Sequence, residues 1–283
     1  MKVFTKIKDI QEFLSEQKRN GKTIGFVPTM GYLHEGHLSL VKKATAENDL
    51  TVMSIFVNPI QFGPNEDFER YPRDFDRDRK LAEDNGVDVL FHPSVEEMYP
   101  EESIVQMNVK KRKDVLCGRT RKGHFDGVVT VLTKLFHITM PDRAYFGLKD
   151  AQQFAIVQGF VADLNFPIDI IGVETVREED GLAKSSRNTY LSAQERKEAP
   201  EIYQALLKGK KAVENGVDDP AEIVRLVSDH IRQNTGGEID YVEVLSFPEL
   251  DPLERIKGKV IIATAVQFAS ARLIDNVILD LSR

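Results

Sequence analysis

Along the first 176 residues, short apolar runs alternate with longer stretches in which apolar residues recur every three or four positions. The runs at 23–27, 50–57, 87–91, 143–146 and 168–176 have the length and the Val, Ile and Phe content of buried strands. Between them, 7–19, 36–46, 75–85, 127–139 and 151–164 show the period of helices with one apolar face. This alternation predicts an α/β fold, a doubly wound parallel sheet that holds ligands beyond the carboxyl ends of its strands. After about residue 176 the pattern changes. Charged helical stretches at 193–214 and 220–233 precede strand-like segments at 241–245, 259–267 and 272–279, which predicts a smaller C-terminal α+β domain. The expected domains are therefore 1–176 and 177–283.

Composition narrows the class without naming an activity. The chain has 283 residues, 41% of them hydrophobic and 29% charged, enough to bury a sizeable core. Its net charge of -7 argues against a nucleic-acid surface. The local basic patches Lys110-Lys111-Arg112-Lys113 and Arg119 to Lys122 read as a solvated face or a loop. A single cysteine, Cys117, excludes an intrachain disulfide and suits a reducing compartment. The N-terminus lacks the apolar core of a signal peptide, and no apolar run is long enough to cross a bilayer. The expectation is a cytoplasmic protein without membrane or nucleic-acid partners.

The chemistry starts at Val27-Pro28-Thr29-Met30-Gly31-Tyr32-Leu33-His34-Glu35-Gly36-His37, where Pro28 and Gly31 break an apolar run just before a helical one. A helix start of this kind attracts anions through its backbone N–H groups. His34 and His37 can hydrogen-bond phosphate oxygens there, and a protonated imidazole would stabilise charge developing at phosphorus. The same spacing suits a zinc pair or a solvated helix start, but the other histidines are scattered and only one cysteine exists.

Four further segments supply suitable groups. Asn58 and Gln61, leaving the second strand, offer neutral donors and acceptors for a small carboxylate or hydroxyl ligand, or else serve a turn. In Tyr145-Phe146-Gly147-Leu148-Lys149-Asp150-Ala151-Gln152-Gln153, Gly147 permits close backbone approach. Lys149 can neutralise phosphate there, and Asp150 can accept ribose hydroxyls or cap a helix. Lys184-Ser185-Ser186-Arg187 sets two hydroxyls and two cations in one loop, at a hinge able to close over a ligand. Within Asp74-Phe75-Asp76-Arg77-Asp78, Asp78 is a possible Mg²⁺ ligand or a helix-dipole partner.

These segments, together with Tyr71-Pro72-Arg73 and Gly123-His124-Phe125-Asp126-Gly127-Val128, resemble the pantoate–β-alanine ligase family in order and spacing from Pro28 to Asn188. The resemblance implies the nucleotidyltransferase superfamily with its His-x-Gly-His hallmark, seen here as His34-Glu35-Gly36-His37. It implies a Rossmann-like nucleotide- and pantoate-binding domain over 1–176, a C-terminal lid over 177–283, and a homodimer. It also implies a two-step reaction: the carboxylate of (R)-pantoate attacks the α-phosphorus of Mg-ATP, and β-alanine then displaces AMP from the pantoyl adenylate.

By that resemblance His34, His37, Lys149 and Arg187 are catalytic. Met30, Gly31, Gly147, Asp150, Val176, Lys184, Ser185 and Ser186 join them in binding ATP. Gln61, Gln153 and Asn58 bind substrate, and Asp78 holds Mg²⁺. A carboxylate nucleophile needs no general base, so cations and imidazoles that align it and neutralise the phosphate suffice. Two other readings remain open at this stage, nucleotide transfer to a phosphorylated acceptor and a catalytically idle nucleotide-binding scaffold. Neutral Gln61 and Gln153 argue against the first, since a phosphosubstrate calls for Arg or Lys. A tRNA-charging enzyme is disfavoured by the short, acidic chain.

Overall fold

Phe26 and Val27 are adjacent and both wholly buried. Side chains alternate across a strand, so each needs cover on its own side of the sheet. The computed structural model, which describes residues 1–63 and 68–282, shows how that cover is built. In chain order the first part runs β1 (Lys2–Phe4), α1 (Ile7–Arg19), β2 (Ile24–Thr29), α2 (Glu35–Glu47), β3 (Leu50–Ile55), α3 (Phe75–Asp84), β4 (Val89–Phe91), α4 (Val95–Met98), α5 (His124–Thr139), β5 (Arg143–Gly147), α6 (Ala151–Asp163) and β6 (Asp169–Val173). There follow α7 (Ala193–Glu198), α8 (Glu201–Glu214), α9 (Pro220–Asn234), β7 (Glu238–Ser246), β8 (Lys259–Gln267) and β9 (Arg272–Asp280). Pro64, which closes the loop after Gly63 in the sequence, lies outside the described residues.

The chain divides into two compact units. The first comprises Met1–Lys110, Arg121–Leu148 and Ile156–Glu174, the second Lys111–Thr120, Lys149–Ala155 and Thr175–Arg283. Among the described residues, the first unit carries a parallel sheet in the order β1-β4-β3-β2-β5-β6. Val27, Met53, Leu90 and Tyr145 face one side, where Leu40, Val41 and Ala44 of α2 and Ala82 of α3 cover them. Phe26 faces the other side and meets Phe136 of α5 edge-on, with ring centroids 6.3 Å apart. The doubly wound α/β architecture expected from the alternation is present. Its strand order reverses between β2 and β5, the place where such sheets open a crevice at their carboxyl ends.

Three details depart from the sequence expectation. β2 continues through Pro28 to Thr29, because β2 pairs with β3 along its length but with β5 only at Gly25 and Phe26. The Phe56 N–H donates to the Thr29 carbonyl on the β3 side. Pro28, one residue earlier, therefore directs its missing donor to the side where pairing has already stopped, and no ladder bond is lost. The helix expected over 193–214 is two helices, α7 and α8, divided at Ala199 and Pro200. The short edge strand β1, parallel to β4, was not expected from the pattern.

The second unit is α+β, as the sequence predicts. Its β7-β8-β9 sheet is antiparallel throughout. A core of Leu206, Val227, Ile231 and Ile262 joins α8, α9 and β8. Gly209 lies where α8 meets α9: a Cβ there would stand 2.8 Å from Val227 Cγ2 and 3.3 Å from Ile223 Cγ2. Alanine ordinarily gains roughly 1 kcal/mol over glycine inside a helix, whereas overpacking against stiff β-branched neighbours costs about 1–3 kcal/mol. The clash prevails. Gly209→Ala is expected to lower stability by about 1 kcal/mol or more, read from the midpoint of urea unfolding; a rise in the midpoint would contradict this packing.

Candidate active site

The loop from β2 to α2 is the part of the first unit nearest to phosphate chemistry. His34 is the N-cap of α2, and its Nδ1 accepts from the Gly36 N–H at 3.1 Å. His37, three residues on, accepts the His34 N–H on its own Nδ1 at 3.3 Å. Together they form a capping box made of two imidazoles, with ring centroids 4.1 Å apart. A neutral imidazole has one acceptor nitrogen and one N–H, so engagement of Nδ1 leaves the proton on Nε2 in both rings. Both histidines are thereby held as neutral Nε2–H donors. The protonated role considered from the sequence would cost the two backbone bonds. Among the described residues no cluster of three or more His, Cys, Asp or Glu is arranged to hold a metal ion.

Asp78 secures the same loop. It is 1% exposed, and its carboxylate accepts the Tyr32 N–H at 2.6 Å on one oxygen and the Leu33 N–H at 2.8 Å on the other. The Arg77 guanidinium lies 3.3 Å from it. Burial pushes the Asp78 carboxyl above its usual range, opposed by the hydrogen bonds from Leu33 and Tyr32. Gly31 adopts φ +85°, and a Cβ there would stand 2.9 Å from Asp78 Oδ2, so the loop has been drawn tightly onto the carboxylate. A buried carboxylate with each oxygen facing a backbone donor is a brace for residues 31–33.

A second constellation in the first unit centres on Gln61. Its Oε1 accepts from Asn58 Nδ2 at 3.1 Å, and its Nε2 lies 3.1 Å from Met30 Sδ. Asn58 is 1% exposed; it also donates to the Gly127 carbonyl at 3.2 Å and accepts from Tyr99 Oη at 2.9 Å. Such an amide orients its neighbour and has little capacity left for a ligand. His124 Nδ1 lies 2.8 Å from the Gln61 carbonyl, with Arg121 Nη1 3.0 Å from its Nε2, which makes Nδ1 the donor. Gly127 explains the rest of the motif at 123–128: a Cβ there would fall 2.6 Å from Gln61 Cα and 2.5 Å from the Ile60 carbonyl oxygen. Tyr99 and His124 went unassigned in the sequence, although the His-Phe-Asp-Gly run marked the second.

The remaining candidates belong to the second unit, except Gly147, which ends β5 and pairs with Val173 in the first. Lys149 Nζ is 3.8 Å from Asp150 Oδ1. Gln153 is in the first turn of α6, half-buried. Val176 and Lys184 face each other across a narrow hairpin, with the Lys184 N–H 2.9 Å from the Val176 carbonyl. Lys184 Nζ stands 3.8 Å from Glu178 Oε2. Ser185 caps the next turn by accepting from the Arg187 N–H at 3.3 Å, and Ser186 is buried. The basic stretch near 112–119 is partly engaged within this unit: Arg112 donates to the Ala155 carbonyl and Arg119 pairs with Glu243.

The family model described as pantoate-beta-alanine ligase matches residues 2–278. The chain belongs to the pantoate–β-alanine ligase family. It is 65% identical to the pantothenate synthetase of Geobacillus sp. (strain WCH70), covering 99% of this chain and 100% of that one. Its identity to the pantothenate synthetase of Bacillus pumilus (strain SAFR-032) is 60%, over 98% and 96% of the two chains. The crystal structure of pantothenate synthetase from Thermus thermophilus matches with a TM-score of 0.93 at 45% identity, over 98% of this chain and 99% of that one. A Francisella tularensis pantoate-beta-alanine ligase, described as complexed with beta-gamma ATP and beta-alanine, matches with a TM-score of 0.80 at 33% identity, over 98% and 97%. The chain is accordingly an ATP-dependent ligase that forms pantothenate, the reaction of its family. Among the described residues no helix is long and apolar enough to cross a membrane.

Two outcomes follow for this ligase. Asp78→Asn substitutes an amide for one acceptor oxygen and leaves a buried N–H of Tyr32 or Leu33 unmet, at a cost of about 1–3 kcal/mol. The melting temperature should therefore fall in Mg²⁺-free buffer; an unchanged melt with activity restored by excess Mg²⁺ would make Asp78 a metal residue rather than a brace. Gly127→Ala should push the backbone at 60–61 away and weaken ligase activity at least tenfold, measured by steady-state kinetics, with a smaller loss of ATP affinity.

Proposed function

We propose that this ligase works through a pantoyl adenylate. One carboxylate oxygen of (R)-pantoate bonds to the α-phosphorus of ATP as the bond to pyrophosphate breaks. The β-alanine nitrogen then bonds to the acyl carbon, AMP departs with the electron pair of the broken C–O bond, and the amine proton is lost. The observation that carries this reading is the paired imidazole cap at the β2–α2 loop. It presents two neutral Nε2–H donors beside helix N–H groups, where a sheet of this order opens its crevice. No general base is required for the first step, because the nucleophile is already an anion.

In this reading His34, His37, Lys149, Lys184, Ser185, Ser186 and Arg187 bind the phosphates and stabilise the charge of the transition state. Met30, Gly31, Gly147, Asp150 and Val176 hold the adenosine. Gln61 and Gln153 bind pantoate, with Asn58 orienting Gln61. The Francisella tularensis ligase, described with ATP and β-alanine in its complex, supports the same substrates here. Mg²⁺ brought in with ATP would screen its phosphates, and Asp78 is the residue that the family resemblance offers to hold it. Residues 177–283 serve as a lid that keeps water from the adenylate. The protein acts in the cytoplasm as a homodimer, which sedimentation at twice the chain mass would test.

The deciding experiment is ATP–pyrophosphate exchange with Mg²⁺, with and without (R)-pantoate and with β-alanine omitted. Exchange should require pantoate, and His37→Ala should lower its rate by about 10²–10³, the usual loss for one transition-state donor. Exchange that instead requires a phosphorylated acid would replace this reading with nucleotide transfer.

A further inference from the structure

Two segments of the second unit that the proposed reading assigns to ATP, around Lys149 and over 176–187, are far apart in sequence. One dipeptide of β9 touches both. Asp275 is 5% exposed and receives the Arg177 guanidinium on both oxygens, Nη1 at 2.7 Å and Nη2 at 2.9 Å. The next residue, Asn276, is 7% exposed and donates its Nδ2 to the Lys149 carbonyl at 2.9 Å. The two are locked together, since Asp275 Oδ1 also accepts the Asn276 N–H at 2.8 Å.

Arg177 opens the hairpin whose far arm ends at Lys184. Its backbone bridges Ala183, and Glu178 donates its N–H to the Leu182 carbonyl at 2.8 Å. Its guanidinium also donates to the Gly181 carbonyl at 3.1 Å and stacks 3.5 Å from the Tyr203 ring centroid. A bidentate pair with a stacked face fixes a guanidinium in direction as well as in place. The orientation of the hairpin, and with it the start of Lys184-Ser185-Ser186-Arg187, is set by a carboxylate nearly a hundred residues further along the chain.

We infer that Asp275 and Asn276 are positioning residues for the nucleotide groups of this ligase, Asn276 acting through Lys149 and Asp275 through Arg177. A stability role alone would not require these bonds to converge on the two ATP segments. The inference rests on the assignment of Lys149 and the 184–187 loop to ATP.

The test compares wild type with Asn276→Ala, Asp275→Asn and Arg177→Lys in pantoate-dependent ATP–pyrophosphate exchange and in the full reaction, well below each melting temperature. Wild-type exchange is the control: its absence would sink the underlying assignment rather than this inference. With wild type active, each variant should show at least a tenfold lower kcat/KM for ATP and a KM for β-alanine within twofold of wild type. Arg177→Lys keeps the charge but loses the second hydrogen bond, and should fall between wild type and Asp275→Asn. Unchanged ATP kinetics, an equal rise in both KM values, or loss of fold in all three variants would overturn the inference and leave the dipeptide a purely structural role.

Discussion

The β2–α2 loop is held by a buried carboxylate. Asp78 receives the N–H groups of Tyr32 and Leu33 from within the first turn of α3, and Gly31 closes against it without a side chain. Without that acceptor two backbone donors would be buried unpaired, a cost comparable to a sizeable fraction of the stability of a domain. With it, the chain leaving β2 is bent so that His34 can cap α2, and the capping geometry in turn selects the tautomer of both imidazoles. Loop conformation and the placing of the imidazoles are therefore successive consequences of one buried carboxylate set against two amides.

The same economy governs the Gln61 region. Asn58, itself held by Tyr99 and the Gly127 carbonyl, orients the Gln61 amide while His124 holds the Gln61 backbone, so the polar group is set within the fold. The cost of ordering these side chains falls on folding rather than on binding. A neutral amide fixed in this way has directional hydrogen bonding without relying on charge.

Much of this was legible in the sequence, and the exceptions have physical causes. The strand-helix alternation and the Pro28–Gly31 break announce the parallel sheet and its loop, because burial on both faces of a strand and a positive φ each leave a residue signature. The bracing bonds of Asp78 were not legible because a carboxylate in a first helical turn looks the same in sequence whether it faces water, a metal or two backbone N–H groups. Tyr99 and the Asp275-Asn276 pair escaped notice because their partners lie 41 or more residues away in the chain, and no local pattern records a contact of that range. The division between α7 and α8 did have a signal in Pro200, but the charged helical period on both sides obscured it.

The imidazole cap also narrows what α2 can begin with. Serine or aspartate at position 34 would cap the helix well but would supply no N–H on the opposite edge of the side chain. Lysine or arginine would supply donors and leave the Gly36 N–H without an acceptor. Histidine carries an acceptor and a donor on opposite sides of one rigid ring, so a single side chain both terminates the helix and faces its surroundings as a donor. At position 34 one residue type thus meets the demand of the helix start and sets an N–H on the opposite edge of the same ring.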